Sequence, residues 1–213
     1  MLDPIISVLG SILSFFYELT GSYGLAIVIL TIGVRALTFP LMAKQMQSTN
    51  KMQELQPELK KLQEKYKDDK ETLNKKTMEL WKKHKVNPAA GCLPLIVQMP
   101  VLIAMFRLLR DYQQFLGDVD PVFLGIDLSQ SDPFFILPIL AGGTTFLQQK
   151  LTMTSQSNSS MMMIMPFMII FISSTLPAGL PLYFVVGNIF SLIAHLVMKK
   201  NKPETQKEGG ANQ

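Results

Sequence analysis

The chain has 213 residues, of which 48% are hydrophobic and only 17% are charged. An ordinary soluble domain carries about 25% charged residues, and here the charges are concentrated in one central block and in the C-terminal tail. The rest of the chain consists mainly of long apolar stretches. This distribution excludes an ordinary soluble domain and predicts a membrane protein.

The composition also disfavours nucleic-acid binding and catalysis. Twelve of the twenty basic residues lie between Lys44 and Lys85, but seven acidic residues are mixed with them and only two aromatic residues accompany them, unlike a nucleic-acid-binding surface. The single cysteine, Cys92, lies in an apolar run and is predicted to be a buried structural thiol. The sequence has no metal-site spacing, nucleotide loop or nucleophile–base pair, so it predicts no metal, no cofactor and no enzymatic activity.

Residues 1–22 are predicted to form an amphipathic helix that lies in the membrane interface. Their apolar residues recur at helical spacing, whereas three serines and Glu18 fall on the opposite face. The alternative is a signal peptide, but the segment lacks a basic start and a cleavage site of small residues.

Residues 44–87 have a different pattern, rich in lysine and glutamate. Apolar residues recur at alternating steps of three and four from Met52 to Tyr66, and the pattern resumes at Leu73 after two aspartates. This is the spacing of a coiled-coil seam. We predict two antiparallel helices of about 20 residues, each about 30 Å long.

The fold class predicted is an all-α polytopic membrane protein with five transmembrane helices, an N-terminal interfacial helix and a cytoplasmic helical hairpin. The first apolar segment has about the 20 residues that a span needs, and prolines in later segments are tolerated where neighbouring helices satisfy the freed backbone groups. The predicted segments are the interfacial helix 1–22, span 1 at 23–43, the hairpin 44–87, span 2 at 88–109, an extracytoplasmic loop 110–133, span 3 at 134–151, a cytoplasmic loop 152–160, span 4 at 161–176, span 5 at 180–198 and a disordered cytoplasmic tail 199–213.

The distribution of basic residues predicts the orientation. The hairpin, the loop after Lys150 and the tail hold most of the lysines, whereas the aspartate-rich loop 110–133 begins with a single arginine and the N-terminal helix has no basic residue. Because basic loops stay in the cytoplasm, five spans place the N-terminus outside and the C-terminus inside.

Arg35 is the feature that needs an explanation, because a charge within a span costs at least about 2.5–3.5 kcal/mol. The five apolar segments contain no Asp or Glu, which disfavours an internal ion pair. Two interpretations stay open: the side chain snorkels to the inner face, or it faces a water-filled cavity and attracts a lipid phosphate, an anionic solute or another protein's carboxylate. Polar residues that could line such a cavity are Thr31, Gln98, Thr144, Thr145, Gln148 and Gln149.

Four stretches of the chain resemble the signatures of a known family. They are GLAIVILTIGVRALTFPL, which contains Arg35, NPAAGCLPLIVQMPVLIAMFRLL, LPILAGGTTFLQQKL and MMMIMPFMIIFISSTLPAGLPLYFVVGN. Over about residues 1–198 the chain resembles the YidC membrane protein insertases, in the form that single-membrane bacteria have, without a large periplasmic domain.

The resemblance implies an insertase and chaperone of the bacterial plasma membrane. Five helices would surround a hydrophilic groove that is open to the cytoplasm and to lipid and closed to the outside, and Arg35 would attract acidic residues of the incoming substrate. Phe146 stands where many relatives have tryptophan, which keeps an aromatic ring but not the indole N–H. The groove residues expected on this basis are Arg35, Gln98, Thr31, Thr144, Thr145, Gln148 and Phe146.

The partners implied are nascent membrane proteins and the lipid bilayer, with the SecYEG translocon, the ribosome and the signal recognition machinery as candidates. Two other functions stay open on the residues alone. A small-anion transporter would use Arg35 to bind its solute, although the chain lacks the internal repeats of many transporters. A membrane anchor would act through the coiled-coil hairpin and would not need Arg35.

Overall fold

The computed structural model describes residues 3–84, 86, 93–152 and 159–200 and is mainly α-helical. The predictions for Cys92, for the centre of loop 152–160 and for the tail beyond Lys200 lie outside the described residues. The elements are α1 (Asp3–Thr20), α2 (Tyr23–Glu54), α3 (Gln56–Lys65), α4 (Lys70–Lys83), α5 (Leu93–Arg110), α6 (Gln113–Leu116), β1 (Val122–Phe123), β2 (Ile126–Asp127), α7 (Ile136–Thr152), α8 (Ser159–Thr175) and α9 (Gly179–Lys200).

The helix α2 runs without a break from the apolar span into the charged region. It has 32 residues and is therefore about 48 Å long. The predicted boundary between residues 43 and 44 has no counterpart in the backbone, because the residues that follow include the good helix formers Ala, Lys, Gln and Met. The charged block consequently contains the end of α2 and two shorter helices, α3 with 10 residues and α4 with 14, where the sequence predicted two helices of about 20.

The helices α3 and α4 pack against each other around a short turn. Leu59 of α3 and Leu80 of α4 are buried. Glu58, near the start of α3, lies 3.8 Å from His84, which follows the end of α4. The two helices therefore run antiparallel, and Asp69 caps α4 by accepting a hydrogen bond from the Thr72 backbone N–H.

The buried apolar side chains are concentrated at one end of the helix bundle. This core is built from the start of α2, the end of α5, the start of α9, α1 and the loop before α7. On α2, Tyr23 and Ile27 are fully buried, whereas Ile32 and Leu37 further along the helix are 43% and 81% exposed. The apolar core of the bundle thus lies at the end that contains Tyr23.

The segment predicted as the loop 110–133 contains the short helix α6 and a two-stranded ribbon, β1 paired with β2. A turn with positive φ at Leu124 and Gly125 joins the strands. The carbonyl groups of Leu128 and Gln130 accept hydrogen bonds from the N–H groups of Gly179 and Ala178, at 2.9 and 2.7 Å. The loop is thereby attached to the start of α9 and covers the packed end of the bundle.

The helix α1 is apolar on two sides. Leu9 and Leu13 are buried against the bundle, and Ser14 donates a hydrogen bond to the Phe115 carbonyl at 3.2 Å. A second apolar stripe at helical spacing is exposed, and it consists of Ile5, Val8, Ile12, Phe15 and Leu19.

Within the described residues, two helical stretches are long and apolar enough to cross a membrane, Tyr23–Met52 and Gly179–Met198. The helices α7 and α8 have 17 residues each, slightly fewer than the roughly 20 that a perpendicular span needs. The number of five spans therefore stays a prediction.

Candidate functional site

Arg35 is half-buried on α2, and its guanidinium packs against α9. Its Cζ atom is 5.9 Å from the centre of the Tyr183 ring, a weak cation–π distance. The Nε atom is buried and has no hydrogen-bond partner. Among the described residues, no acidic side chain forms an ion pair with Arg35. The arginine is therefore placed by the shape of α9 and by an aromatic ring, and no carboxylate in the described part of the chain neutralises it.

Gly187 is the residue that lets the guanidinium approach α9 so closely. A Cβ atom at position 187 would lie 2.7 Å from one terminal nitrogen of Arg35 and 2.8 Å from Nε, closer than side-chain carbons come to other atoms in proteins. One turn later, Ser191 donates a hydrogen bond to the Gly187 carbonyl at 2.8 Å and is itself buried. The guanidinium of Arg35 thus packs directly against the backbone of α9.

Gln98 reaches the same place from α5. Its Nε2 atom donates a hydrogen bond to the Tyr183 hydroxyl at 2.6 Å, and Tyr183 is 1% exposed. The contacts run from Gln98 to Tyr183 to Arg35, so three helices, α5, α9 and α2, meet at this point. Arg35 and Gln98, which the sequence predicted as neighbours in one groove, are linked through Tyr183.

Thr144 and Thr145 meet α9 one residue beyond Gly187. The amide of Asn188 donates hydrogen bonds to both hydroxyls, at 3.1 and 2.8 Å. Each threonine in turn donates to a backbone carbonyl of α7. These contacts join α7 to α9 next to Gly187. The two threonines therefore lie beside the arginine site and also hold the two helices together.

No described contact joins the other predicted groove residues to Arg35, and their place in a groove stays a prediction. Thr31 is fully buried and donates to the Ile27 carbonyl at 2.6 Å, so its hydroxyl is satisfied within α2. Phe146 is 42% exposed and faces α8. Gln149 is also buried on that side, where its amide lies 2.9 Å from the sulfur of Met165. Gln148 is half-buried on α7.

Tyr183, Gly187 and Asn188 were not predicted as part of the site. All three lie in an apolar stretch, and no motif or spacing there marks a tyrosine, a glycine or an asparagine as a site residue. Their spacing is informative only in retrospect, because residues four apart on a helix share a face. In the described part of the chain, no group of His, Cys, Asp and Glu could hold a metal ion.

This arrangement has a defined chemical capacity. A half-buried cation without an acidic partner attracts an anion more strongly than an arginine in water does, because the surroundings have a lower effective dielectric constant. The geometry suits reversible electrostatic binding of an anionic group.

Comparison with known proteins decides the family. The model of the family described as "60Kd inner membrane protein" matches residues 15–206. The chain is 45% identical over 216 residues to the membrane protein insertase MisCA of Bacillus subtilis, covering 95% of this chain and 82% of the relative. The chain belongs to the YidC insertase family.

Other members of the YidC family agree with this assignment. Membrane protein insertase YidC of Fusobacterium nucleatum is 44% identical over 183 residues, which cover 84% of this chain and 88% of the relative. A solved structure described as an active YidC insertase with its first transmembrane domain resolved matches with a TM-score of 0.71 at 26% identity. The match covers 92% of this chain and 46% of that longer chain, so the fold described above is a YidC fold.

Proposed function

We propose that this protein inserts other proteins into the bacterial plasma membrane and that Arg35 attracts acidic residues of the incoming segment. The observation that carries the proposal is the guanidinium of Arg35, held against Gly187 and Tyr183 without an ionic partner among the described residues. Keeping an unneutralised charge within a helix bundle is costly. A binding role for a transient carboxylate explains why this charge is kept.

The packing of the bundle supports a groove that is closed on one side and open on the other. The end near Tyr23 is filled by the apolar core and covered by the loop before α7. Towards the other end, apolar side chains of α9 such as Ile193 and Leu196 are more than half exposed. We propose that the packed end faces outwards and that the open end faces the cytoplasm and lipid.

The proposed topology has five spans, α2, α5, α7, α8 and α9, with the N-terminus outside and the C-terminus inside. The basic residues of the hairpin and of the last turn of α7 then lie in the cytoplasm, in agreement with the positive-inside rule. The helix α1 lies in the outer interface, where its exposed stripe contacts lipid.

The proposed mechanism requires no covalent chemistry. A substrate carboxylate about 4 Å from Arg35 gains roughly 4 kcal/mol of attraction at an effective dielectric constant near 20, which offsets part of its desolvation. The membrane potential adds about 2.3 kcal/mol per negative charge per 100 mV for outward movement. The apolar part of the substrate then enters lipid along the open side of the bundle.

Two partner roles complete the proposal. Nascent membrane proteins are the substrates, and the exposed hairpin of α3 and α4 is the part that would meet them, or the ribosome, the signal recognition machinery or the SecYEG translocon, in the cytoplasm. Many basic side chains on this hairpin are exposed, with an ion pair between Lys76 and Glu79 at 2.8 Å.

The test is insertion into liposomes that contain only the purified protein. A single-spanning substrate with a short acidic translocated tail is added, and protease protection of the tail is measured for wild type, Arg35→Lys and Arg35→Ala. The exposed Arg110 at the opposite, packed end provides the control Arg110→Ala, which removes the same charge away from the site.

We expect insertion to fall strongly in Arg35→Ala, to be largely kept in Arg35→Lys and to be unchanged in Arg110→Ala. Equal insertion by all four proteins would contradict the role of Arg35. Insertion by wild type no greater than in empty liposomes, together with saturable uptake of a small anion, would favour a transporter.

A further inference from the structure

An apolar cleft opens between α7 and α8, away from the arginine site. It has a volume of about 340 Å³ and is lined by Gly142, Gly143, Phe146, Pro166, Phe167 and Ile170. Gly142 lets α8 approach, since a Cβ there would overlap Ile170. Gly143 leaves the cleft open, because a Cβ at that position would have no atom within 4 Å.

The rim of the cleft is apolar and exposed. The side chains of Phe146 and Phe167 are 42% and 67% exposed. Among the described helices, α8 packs mainly against α7, so the cleft lies at the periphery of the bundle. In a membrane, such a surface is covered by lipid chains or by another apolar segment.

Lys150 follows the cleft along α7, four residues beyond the lining residue Phe146. On an α-helix, Gly143 and Lys150 are two turns apart on the same face, separated by about 10 Å along the axis. Lys150 is exposed, and it is the only charged residue of the sequence between Phe134 and Leu176. A single cation therefore follows an apolar cleft along α7, with no acidic residue on either helix.

We infer that the α7–α8 cleft binds an anionic phospholipid, with an acyl chain along Gly143 and Phe146 and the phosphate at Lys150. The length from Gly143 to Lys150 suits the part of a lipid between its headgroup and the first half of an acyl chain. Charge complementarity selects the occupant, because a lipid phosphate lies at the membrane surface where Lys150 is placed, whereas the acidic residues of a substrate are proposed to meet Arg35. The inference requires Lys150 to lie at a membrane surface, as the proposed topology has it, but it does not require Arg35 to bind substrate.

Lipid retention by the purified full chain tests this inference. Native mass spectrometry would count bound lipids after incubation with phosphatidylglycerol or with phosphatidylcholine of the same acyl chains. The variants are Gly143→Leu, which fills the cleft, and Lys150→Gln, which removes the charge. Their matched controls are Gly33→Leu, at another exposed helical glycine with open space around it, and Lys76→Gln, which removes an equal charge from α4.

We expect phosphatidylglycerol to be retained in preference to phosphatidylcholine, and the preference to fall about fivefold in Lys150→Gln, the usual effect of one lysine near an anionic lipid. Gly143→Leu loses the bound lipid of either kind, whereas both controls retain it. Gly143→Ala, a smaller filling of the same cleft, replaces Gly143→Leu if the larger variant does not fold.

Two results would overturn the inference. Equal retention of both lipids by wild type and Lys150→Gln would mean that the cleft holds only unselected lipid. Retention of phosphatidylglycerol unchanged by Gly143→Leu, with loss of substrate cross-linking in the same variant, would assign the cleft to a peptide. Neither result bears on Arg35, because liposome insertion of the acidic tail is measured separately.

Discussion

The guanidinium of Arg35 occupies the space that a side chain at Gly187 would fill. A Cβ atom there would come within 2.7 Å of a terminal nitrogen and 3.1 Å of Cζ. The cation therefore lies against the backbone of α9 at a depth that a larger residue would not allow. This contact makes position 187 a determinant of where the charge is presented.

Gly187→Ala should move the guanidinium away from α9. We expect insertion of an acidic-tail substrate to fall about threefold to tenfold. The reason is that moving the Arg35 guanidinium away from the substrate carboxylate weakens their attraction by roughly 1 kcal/mol. Insertion of a neutral-tail substrate should be unchanged. Liposome insertion of both substrates is the measurement, and Gly33→Ala, where a Cβ meets no atom, is the control. An equal loss for both substrates would indicate a general folding defect.

Tyr183 has two contacts that can be separated by substitution. Tyr183→Phe removes the hydroxyl that accepts the Gln98 hydrogen bond. It should lower the free energy of unfolding by about 0.5–1.5 kcal/mol and leave insertion largely unchanged. Tyr183→Leu also removes the ring beside Arg35 and should reduce acidic-tail insertion further. Thermal unfolding in detergent and liposome insertion report the two effects. Identical insertion by the Phe and Leu variants would show that the ring does not position the arginine.

The contact of α7 with α8 depends on the absence of a side chain at Gly142. A Cβ there would overlap Ile170 and lie 3.0 Å from the Pro166 carbonyl oxygen. Gly142→Ala should therefore destabilise the protein by about 1–3 kcal/mol through overpacking. Gly143→Ala, one residue away in open space, should not destabilise it. Comparable melting temperatures for the two variants would contradict this packing.

The cap of α4 should respond to pH. The hydrogen bonds that Asp69 accepts from Thr72 lower the pKa of this carboxyl below its ordinary value. The charged form is thus favoured in the folded state, so the stabilisation is present above the ordinary pKa, about 3.9, and is lost as the pH falls through the lower, folded value. Hydrogen exchange of the first turn of α4 should be slower in wild type than in Asp69→Ala at pH 7 and alike in both at about pH 2. A difference of the same size at both pH values would contradict the cap.

The sequence pointed to the charged and amide residues of the site, but it did not indicate how closely Arg35 packs against α9. Arg35 and Gln98 were detectable because each is polar within an apolar helix. Gly187 was not, because its role is the side chain that it lacks. Thr31 stays a predicted groove residue, and its hydroxyl donates a hydrogen bond to the carbonyl four residues earlier, as buried helical threonines often do.

The fold was predictable where it follows from the periodicity of apolar residues, and less so where one helix continues from an apolar stretch into a charged one. Leu59 and Leu80, two residues of the predicted hairpin seam, are buried, and the coiled-coil hairpin itself stays a prediction. The end of the first span at residue 43 was predicted from a change in hydropathy and stays a prediction. The helix α2 itself continues to Glu54, because a helix ends where its backbone is interrupted and not where its surface becomes polar. The ribbon between Val122 and Asp127 is too short to give an alternating pattern.

The most direct test of the central claim is a double-mutant cycle between Arg35 and the substrate. Insertion rates are measured for wild type and Arg35→Gln with a tail that carries one aspartate and with the same tail carrying asparagine. If Arg35 acts on the carboxylate, the two substitutions should be coupled by about 1 kcal/mol or more, so that Arg35→Gln slows the aspartate tail at least about fivefold more than the asparagine tail. If Arg35→Gln slows both tails by the same factor, the arginine does not recognise the substrate's charge and the account is wrong.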